Sequence, residues 1–296
     1  MRTLLIGSRG QLGSDLCRVW TEDLIALSHQ ELDVCDGDQV HTVIAKEKPD
    51  LVINTAAYHR VDECEGNAAL AFEVNALGAK HVADASREVD AAVMFISTDY
   101  VFDGEKGSPY GEEDLPRPLS VYGVSKLAGE HLVRQSNPRH FIVRSSSLFG
   151  IAGASGKGGN FVETMIRKAQ QEEPLRVVDD QVSSPTMTGD LALKLQELAA
   201  TDRFGLYHVT NSGQTSWHHF AVKIFELMGL RPSLTAITSQ ELGAAAPRPR
   251  LSVMENRALA AAGLAPLRSW EEALQAYLSE KGHLPSGQPA RVSEKA

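Results

Sequence analysis

The sequence predicts an α/β protein: a doubly wound parallel sheet of Rossmann type carrying a smaller C-terminal α/β lobe. Three observations carry that expectation. Short apolar runs alternate with longer stretches of helical periodicity through the first half. A glycine-spaced loop follows the first run at once. Nothing in the composition departs from that of a folded enzyme, with 43% hydrophobic and 23% charged residues in 296.

The apolar runs at 3–6, 24–27, 51–54, 93–97 and 141–144 read as buried strands. Between them, Leu12, Leu16, Val19 and Trp20 recur at helical spacing, as do Leu70, Val74, Leu77 and His81. Strands alternating with helices favour a parallel sheet, because right-handed crossovers place helices on both of its faces. Residues 1–150 form the expected dinucleotide-binding domain, which also holds the catalytic residues.

From about Gly150 the rhythm loosens. The stretch 153–159 is dense in glycine and reads either as a connector or as a lid. Beyond it the pattern predicts a helix over 161–171, short strands near Val177 and Tyr207, and helices near Leu191 and Phe220. Residues 151–282 are expected to form most of a substrate lobe that returns in part to the main domain. Residues 283–296 are polar and weakly patterned and read as a tail.

A formal net charge of −9 and the lack of any Lys/Arg run exclude an extended nucleic-acid surface. No apolar stretch approaches the roughly 18 residues of a spanning helix, and the apolar start ends at Gly7, too soon for a signal peptide. The three cysteines, Cys17, Cys35 and Cys64, lack metal-type spacing and fit reduced thiols in a cytoplasmic protein.

The loop Gly7-Ser8-Arg9-Gly10-Gln11-Leu12-Gly13 joins the first strand to the first helix. Glycines there let backbone approach a pyrophosphate, and the helix N-terminus offers free N–H groups. An acid ending the second strand would take a ribose 2′-hydroxyl and favour NAD. Here Ile25-Ala26-Leu27 runs into Ser28-His29 with no acid before Glu31, while Arg9 is placed to meet a 2′-phosphate. NADPH is therefore the expected cofactor, with NADH the alternative.

Tyr122 and Lys126 are four residues apart at the start of a predicted helix, so phenol and ammonium share one face. A free phenol titrates near about 10; a neighbouring cation is expected to lower that value. Thr98 ends the fourth strand, at the sheet edge where open α/β folds bind ligands, and its hydroxyl suits the same carbonyl oxygen that Tyr122 would protonate.

Taken together, these residues resemble the extended short-chain dehydrogenase/reductase superfamily, and most closely the dTDP-4-dehydrorhamnose reductase family. The resemblance runs through Gly7 to Gly13, Leu32-Asp33-Val34-Cys35-Asp36, Asn54-Thr55-Ala56-Ala57-Tyr58, Val61-Asp62 and Val74-Asn75-Ala76. It continues through Ser97-Thr98-Asp99-Tyr100-Val101-Phe102-Asp103-Gly104, Tyr122-Gly123-Val124-Ser125-Lys126, Asp180-Gln181, Pro185-Thr186 and Arg248-Pro249. It implies reduction of the 4-keto group of a nucleotide-linked 4-keto-6-deoxy sugar to dTDP-L-rhamnose. Tyr122 would protonate the alkoxide, Thr98 would hydrogen-bond it, and Lys126 would tune Tyr122 and bind ribose. Asp33 and Val34 would contact adenine, while Ala56, Ala57 and Tyr58 would line the nicotinamide side. Asp99, Tyr100, Asn160 and Arg248 would contact the substrate, Arg248 as a diphosphate clamp.

The same resemblance suggests a homodimer and, in some members, Mg²⁺ held by acids at the dimer contact. Asp15 and Asp190 align with such acids, but helix-surface carboxylates are ordinarily solvated, so no metal ligand is assigned. The adjacent His218 and His219 are read as pointing apart. One departure lies on the substrate side: the family's RTSW is here Arg144-Ser145-Ser146-Ser147, so either Phe149 replaces the aromatic or the substrate differs. Two other functions stand beside reduction. One is an epimerase or dehydratase of the same fold. The other is a non-catalytic regulatory subunit resembling the methionine adenosyltransferase β-subunit.

Overall fold

The computed structural model describes residues 1–153 and 159–284. Most of the glycine-rich stretch expected as connector or lid (154–158), and most of the expected tail (285–296), lie outside the described residues. In chain order the first half runs β1 (Thr3–Ile6), α1 (Gln11–Val19), β2 (Leu24–Leu27), α2 (Gly37–Glu47), β3 (Leu51–Asn54), α3 (Val61–Gly66), α4 (Ala68–Phe72), α5 (Gly78–Glu88), β4 (Ala92–Thr98), α6 (Val121–Ser136) and β5 (His140–Ser145). The second half runs β6 (Leu148–Phe149), α7 (Phe161–Gln170), β7 (Leu175–Val178), β8 (Val182–Ser183), β9 (Thr186–Met187), α8 (Thr188–Ala199), β10 (Gly205–His208), β11 (Thr215–Ser216), α9 (Trp217–Met228), β12 (Leu234–Ile237), α10 (Ser239–Leu242), α11 (Arg257–Ala261) and α12 (Trp270–Glu280).

The five expected strands are present and, with β10, form one six-stranded parallel sheet in the order β10-β5-β4-β3-β1-β2. Strand residues alternate between two buried layers. Leu5, Ile53, Met94 and Phe141 pack on one side against Leu12 and Leu16 of α1 and Leu191 and Leu195 of α8. Leu4, Val52, Val93 and Ile142 face the other side, against Val40 and Ile44 of α2, Val82 of α5 and Val133 of α6. A side chain buried this fully contributes about 1.5–3 kcal/mol, so the sheet has cover on both faces as a parallel sheet requires.

β10 brings the second half back to the edge of this sheet, in register with β5 from Gly205↔Phe141 to His208↔Arg144. The rest of that half builds two-stranded pairs, β7 with β12, β8 with β11 and β6 with β9. They pack with α7, α9 and α12 around Phe149, Ile166, Phe220, Trp270 and Tyr277.

Two details differ from the sequence reading. Of the apolar stripe Leu70, Val74, Leu77, only Val74 packs on the core: Leu70 and Leu77 are 42% and 49% exposed. α4 and α5 are joined by a π-helical turn, Glu73–Leu77, and the small residues Ala71, Ala76, Ala79 and Ala83 are the ones buried. Close packing against α6 selects small side chains over large ones. Secondly, the expected tail begins later than Gly282: His283 Nε2 lies 3.0 Å from Glu163, and Leu284 packs on the lobe's core. Among the described residues no helix is long and apolar enough to cross a membrane.

Candidate active site

The chain steps from β1 outward to β2 and then back across to β3, so the winding direction reverses between β1 and β3. Open α/β sheets bind ligands at the carboxyl edge beside such a reversal. Gly7 to Gly13 leaves β1 there. A Cβ on Gly13 would stand 2.2 Å from the Gly7 carbonyl oxygen, so only glycine lets α1 start this close to the turn. Gly10 caps α1 without any side-chain hydrogen bond, and no acid lies in its first turn. α2, α6, α7, α9, α10 and α12 all have side-chain caps. The first N–H groups of α1 are thus left for an anion, and the cradle fits a pyrophosphate.

Neighbouring segments leave the same edge of the sheet. Val34 is buried, and its carbonyl accepts from His81 Nδ1 at 3.1 Å. Asp33 folds back on its own turn, accepting from the Cys35 amide at 3.0 Å. After β3, Ala56 N donates to Asn54 Oδ1 and Tyr58 N to Asn75 Oδ1. Asn75 also donates to Ser125 of α6 at 3.0 Å, which ties this loop to the helix bearing Tyr122. Arg9 is exposed, 3.4 Å from Gln30. Glu31 spends its carboxylate on the Ser28 amide and hydroxyl, at 2.8 and 2.7 Å.

Thr98 ends β4, and Ser120 caps α6 by accepting from Gly123 N at 3.2 Å. A Cβ on Gly123 would stand 2.3 Å from the Tyr100 carbonyl, so glycine is what lets the first turn of α6 press onto the segment after β4. That approach sets Tyr122 beside Tyr100, with ring centroids 6.0 Å apart edge to face, and within hydrogen-bonding range of Thr98.

The expected lowering of the Tyr122 phenol by Lys126 is not what the structure gives. Burial raises the phenol, Asp99 and Tyr100 add to the rise, and the Thr98 hydrogen bond alone opposes it. Lys126 is turned elsewhere: Nζ donates to the Ile96 carbonyl at 2.6 Å and lies 3.9 Å above the Phe95 ring. Its ammonium, 1% exposed, is pushed down to about 7 by burial against the upward pull of Glu130. Glu130 is itself buried, paired with Arg144 through contacts of 2.7 and 2.9 Å and accepting from Ser97 at 2.6 Å. This pair locks α6 to β4 and β5 beneath the site.

Asp99 is 3% exposed. It accepts from Ser252 at 2.5 Å, Ser146 at 2.9 Å and Thr98 at 3.2 Å. Burial nevertheless pushes its carboxyl up to about 6. Asp99, Tyr100, Ser147, Gln181, Ser183, Trp217 and Ser252 line a polar hollow. It adjoins a cleft of about 390 Å³ lined by Ser147, Leu148, Asn160, Phe161, Thr164 and Trp217.

On this substrate side Ser147 has φ 46° and its hydroxyl is 2.7 Å from that of Ser183. Phe149 does not replace the missing aromatic, because it is 1% exposed and packs on Phe220 and Tyr277. Trp217 is the aromatic that lines both the hollow and the cleft, with Phe161 against it. Sequence reasoning missed Trp217, together with Ser183 and the Ser146/Ser252 pair holding Asp99, and gave Gln181 no role. A Trp directly after the helix-capping Ser216 is the signal that was there to find.

Asn160 lines the cleft, but its amide is engaged: it donates to Gly150 O and Tyr277 and caps α7 through Glu163 N. Arg248 points both arms at Asp62, 3.0 and 2.7 Å away. Asp15 is not the solvated carboxylate expected; it is 3% exposed and bonded to Thr188 and Arg18. Asp190 is held by Arg268 and Asn211.

A crossover-wound parallel sheet with a glycine cradle, a strand-end threonine and a Tyr-x-x-x-Lys helix defines the short-chain dehydrogenase/reductase class. Residues 1–282 match the family model described as the RmlD substrate binding domain. The chain is 41% identical over 283 residues to a dTDP-4-dehydrorhamnose reductase of Streptomyces griseus, covering 92% of this chain and 91% of that one. It is 40% identical to the spore coat polysaccharide biosynthesis protein SpsK of Bacillus subtilis (strain 168), over 95% of this chain and 98% of that one. A crystal structure of dTDP-4-dehydrorhamnose reductase from Bacillus anthracis str. Ames in complex with NADP superposes with TM-score 0.90 at 39% identity, covering 94% and 99% of the two chains. The chain belongs to the dTDP-4-dehydrorhamnose reductase family.

Proposed function

We propose that this protein reduces the 4-keto group of a dTDP-linked 4-keto-6-deoxy sugar, dTDP-4-dehydrorhamnose to dTDP-L-rhamnose, using NADPH. The observation that carries this reading is the meeting of the Thr98 and Tyr122 hydroxyls on the same sheet edge as a glycine cradle, in a chain 41% identical to a reductase of that name.

Gly7, Gly10, Gln11, Leu12 and Gly13 would hold the pyrophosphate, Asp33 and Val34 the adenine end, and Ala56, Ala57, Tyr58 and Lys126 the nicotinamide riboside. Arg9 would meet the 2′-phosphate, while Glu31, already committed to Ser28, does not compete for a 2′-hydroxyl. When bound, NADPH supplies hydride. The carbonyl oxygen then becomes an alkoxide and takes the proton of Tyr122. A phenol raised by burial keeps that proton at neutral pH, as a donor must. Thr98 fixes the oxygen, and Lys126, on the same helix as Tyr122, would reach the ribose or return the proton only by giving up the Ile96 carbonyl.

Asp99 and Tyr100 face the sugar, with Trp217 as the apolar surface that Ser147 lacks. Asn160 shapes the cleft through α7. Arg248 would take the diphosphate only by exchanging it for Asp62. The test is NADPH oxidation against a panel of nucleotide-linked 4-keto sugars. Turnover of the dTDP 4-keto-6-deoxy sugar above the others is expected; no turnover of any of them would refute the proposal.

A further inference from the structure

We propose that Asp179, His218 and His219 form a binding site for a borderline-soft divalent cation of the zinc type. The sequence reading set these histidines aside as neighbours pointing apart. The fold brings them together because the segment after β7 lays Asp179 across the first turn of α9, where consecutive residues are separated by about 100° around the axis.

One ligand atom from each of the three side chains lies within 4.8 Å of the others. Asp179 Oδ1 is 3.1 Å from His219 Nδ1 and 3.9 Å from His218 Nδ1. Tetrahedral zinc, with bonds of about 2.0–2.2 Å, needs ligand atoms roughly 3.4 Å apart. Small side-chain rotations suffice to reach that spacing.

A second observation points the same way. His218 is 18% exposed in its side chain, and its Nδ1 is buried with no hydrogen-bond partner among the described residues. A buried ring nitrogen left unsatisfied costs free energy, and a cation at this point would satisfy it. Two neutral imidazoles and one carboxylate are the donor set that zinc accepts with one position left open. The carboxylate also offsets the positive end of α9. Ser216, which caps the helix and hydrogen-bonds Asp179 at 2.5 Å, fixes the carboxylate facing the histidines.

The site touches the cleft through sequence neighbours. Trp217 precedes His218, and Gln181 lies two residues after Asp179; both line the polar hollow. A bound cation would pin the β7–β8 segment to α9.

The experiment is isothermal titration of untagged, chelator-stripped full-length protein with Zn²⁺ alone. Neither cofactor nor sugar is present, so the outcome is independent of the reductase reading. One equivalent is expected to bind. His218→Ala and Asp179→Asn should each weaken it by more than the roughly 10–100-fold that losing an outer-sphere partner costs. Mg²⁺, a hard cation preferring oxygen, should not compete. A Co²⁺ titration should give the intense visible bands of tetrahedral coordination in the wild type and lose them in His219→Gln, whether or not another variant folds poorly. No stoichiometric uptake, or uptake equal in wild type and variants, overturns the proposal.

Discussion

The carboxyl of Asp99 yields a quantitative prediction. It is moved by burial from an ordinary value of 3.8 to about 6, despite hydroxyl donors from Ser146 and Ser252. The folded state then holds the Asp99 proton about a hundredfold more tightly than the unfolded chain, a difference of about 3 kcal/mol. Because the folded value is the higher one, the native state binds more protons and stability falls as pH rises. The contribution is complete below about pH 4 and is lost as pH passes through about 6. Asp99→Asn removes the titration without changing the shape. The measurement is urea unfolding of both proteins from pH 4 to 7.5. The stability of wild type minus that of Asp99→Asn should decline by about 3 kcal/mol across that range. A difference that stays flat, or that grows with pH, would refute the claim that desolvation governs this carboxylate.

Other consequences concern the cradle and its support. Arg9→Ala should cut the NADPH-over-NADH ratio of kcat/KM by roughly 10–100-fold, the worth of a charge-assisted contact of about 1.5–3 kcal/mol; a wild type that prefers NADH would contradict it. Gly13→Ala must push backbone away from the Gly7 carbonyl. Strain of about 1–3 kcal/mol should weaken NADPH binding by roughly 10–100-fold in a fluorescence titration, whereas an unchanged Kd would show that the loop does not carry the pyrophosphate. Arg144→Met strands the buried Glu130 carboxylate and should cost about 3–5 kcal/mol in denaturant unfolding; a loss below about 1 kcal/mol would show the pair to be solvated.

The main sheet was legible because a buried parallel strand is a plain apolar run. β1 to β5 sit where 3–6, 24–27, 51–54, 93–97 and 141–144 placed them, to within one residue at each end. The glycine loop was legible because backbone approach leaves no choice of residue. What escaped was set by tertiary contact. The face presented by α4 and α5 depends on how closely α6 approaches, so Leu70 and Leu77 misled. The partners of Asp99 come from Ser146 and Ser252, 47 and 153 residues away, and no local pattern links them. The direction of Lys126 was inferred from helical spacing alone, which places a side chain on a face but does not say which atom it reaches. Ring nitrogens on adjacent histidines converge only because another segment, carrying Asp179, crosses above them.

The most direct test of the proposed chemistry is single-turnover NADPH oxidation by Tyr122→Phe with dTDP-4-dehydrorhamnose. Removing the hydroxyl takes away the proton donor and leaves the ring in place. The rate should fall by about 10²–10⁴-fold, the usual worth of a general acid, while the Kd for NADPH stays unchanged. A Phe variant that turns over at the wild-type rate would contradict the assignment of Tyr122.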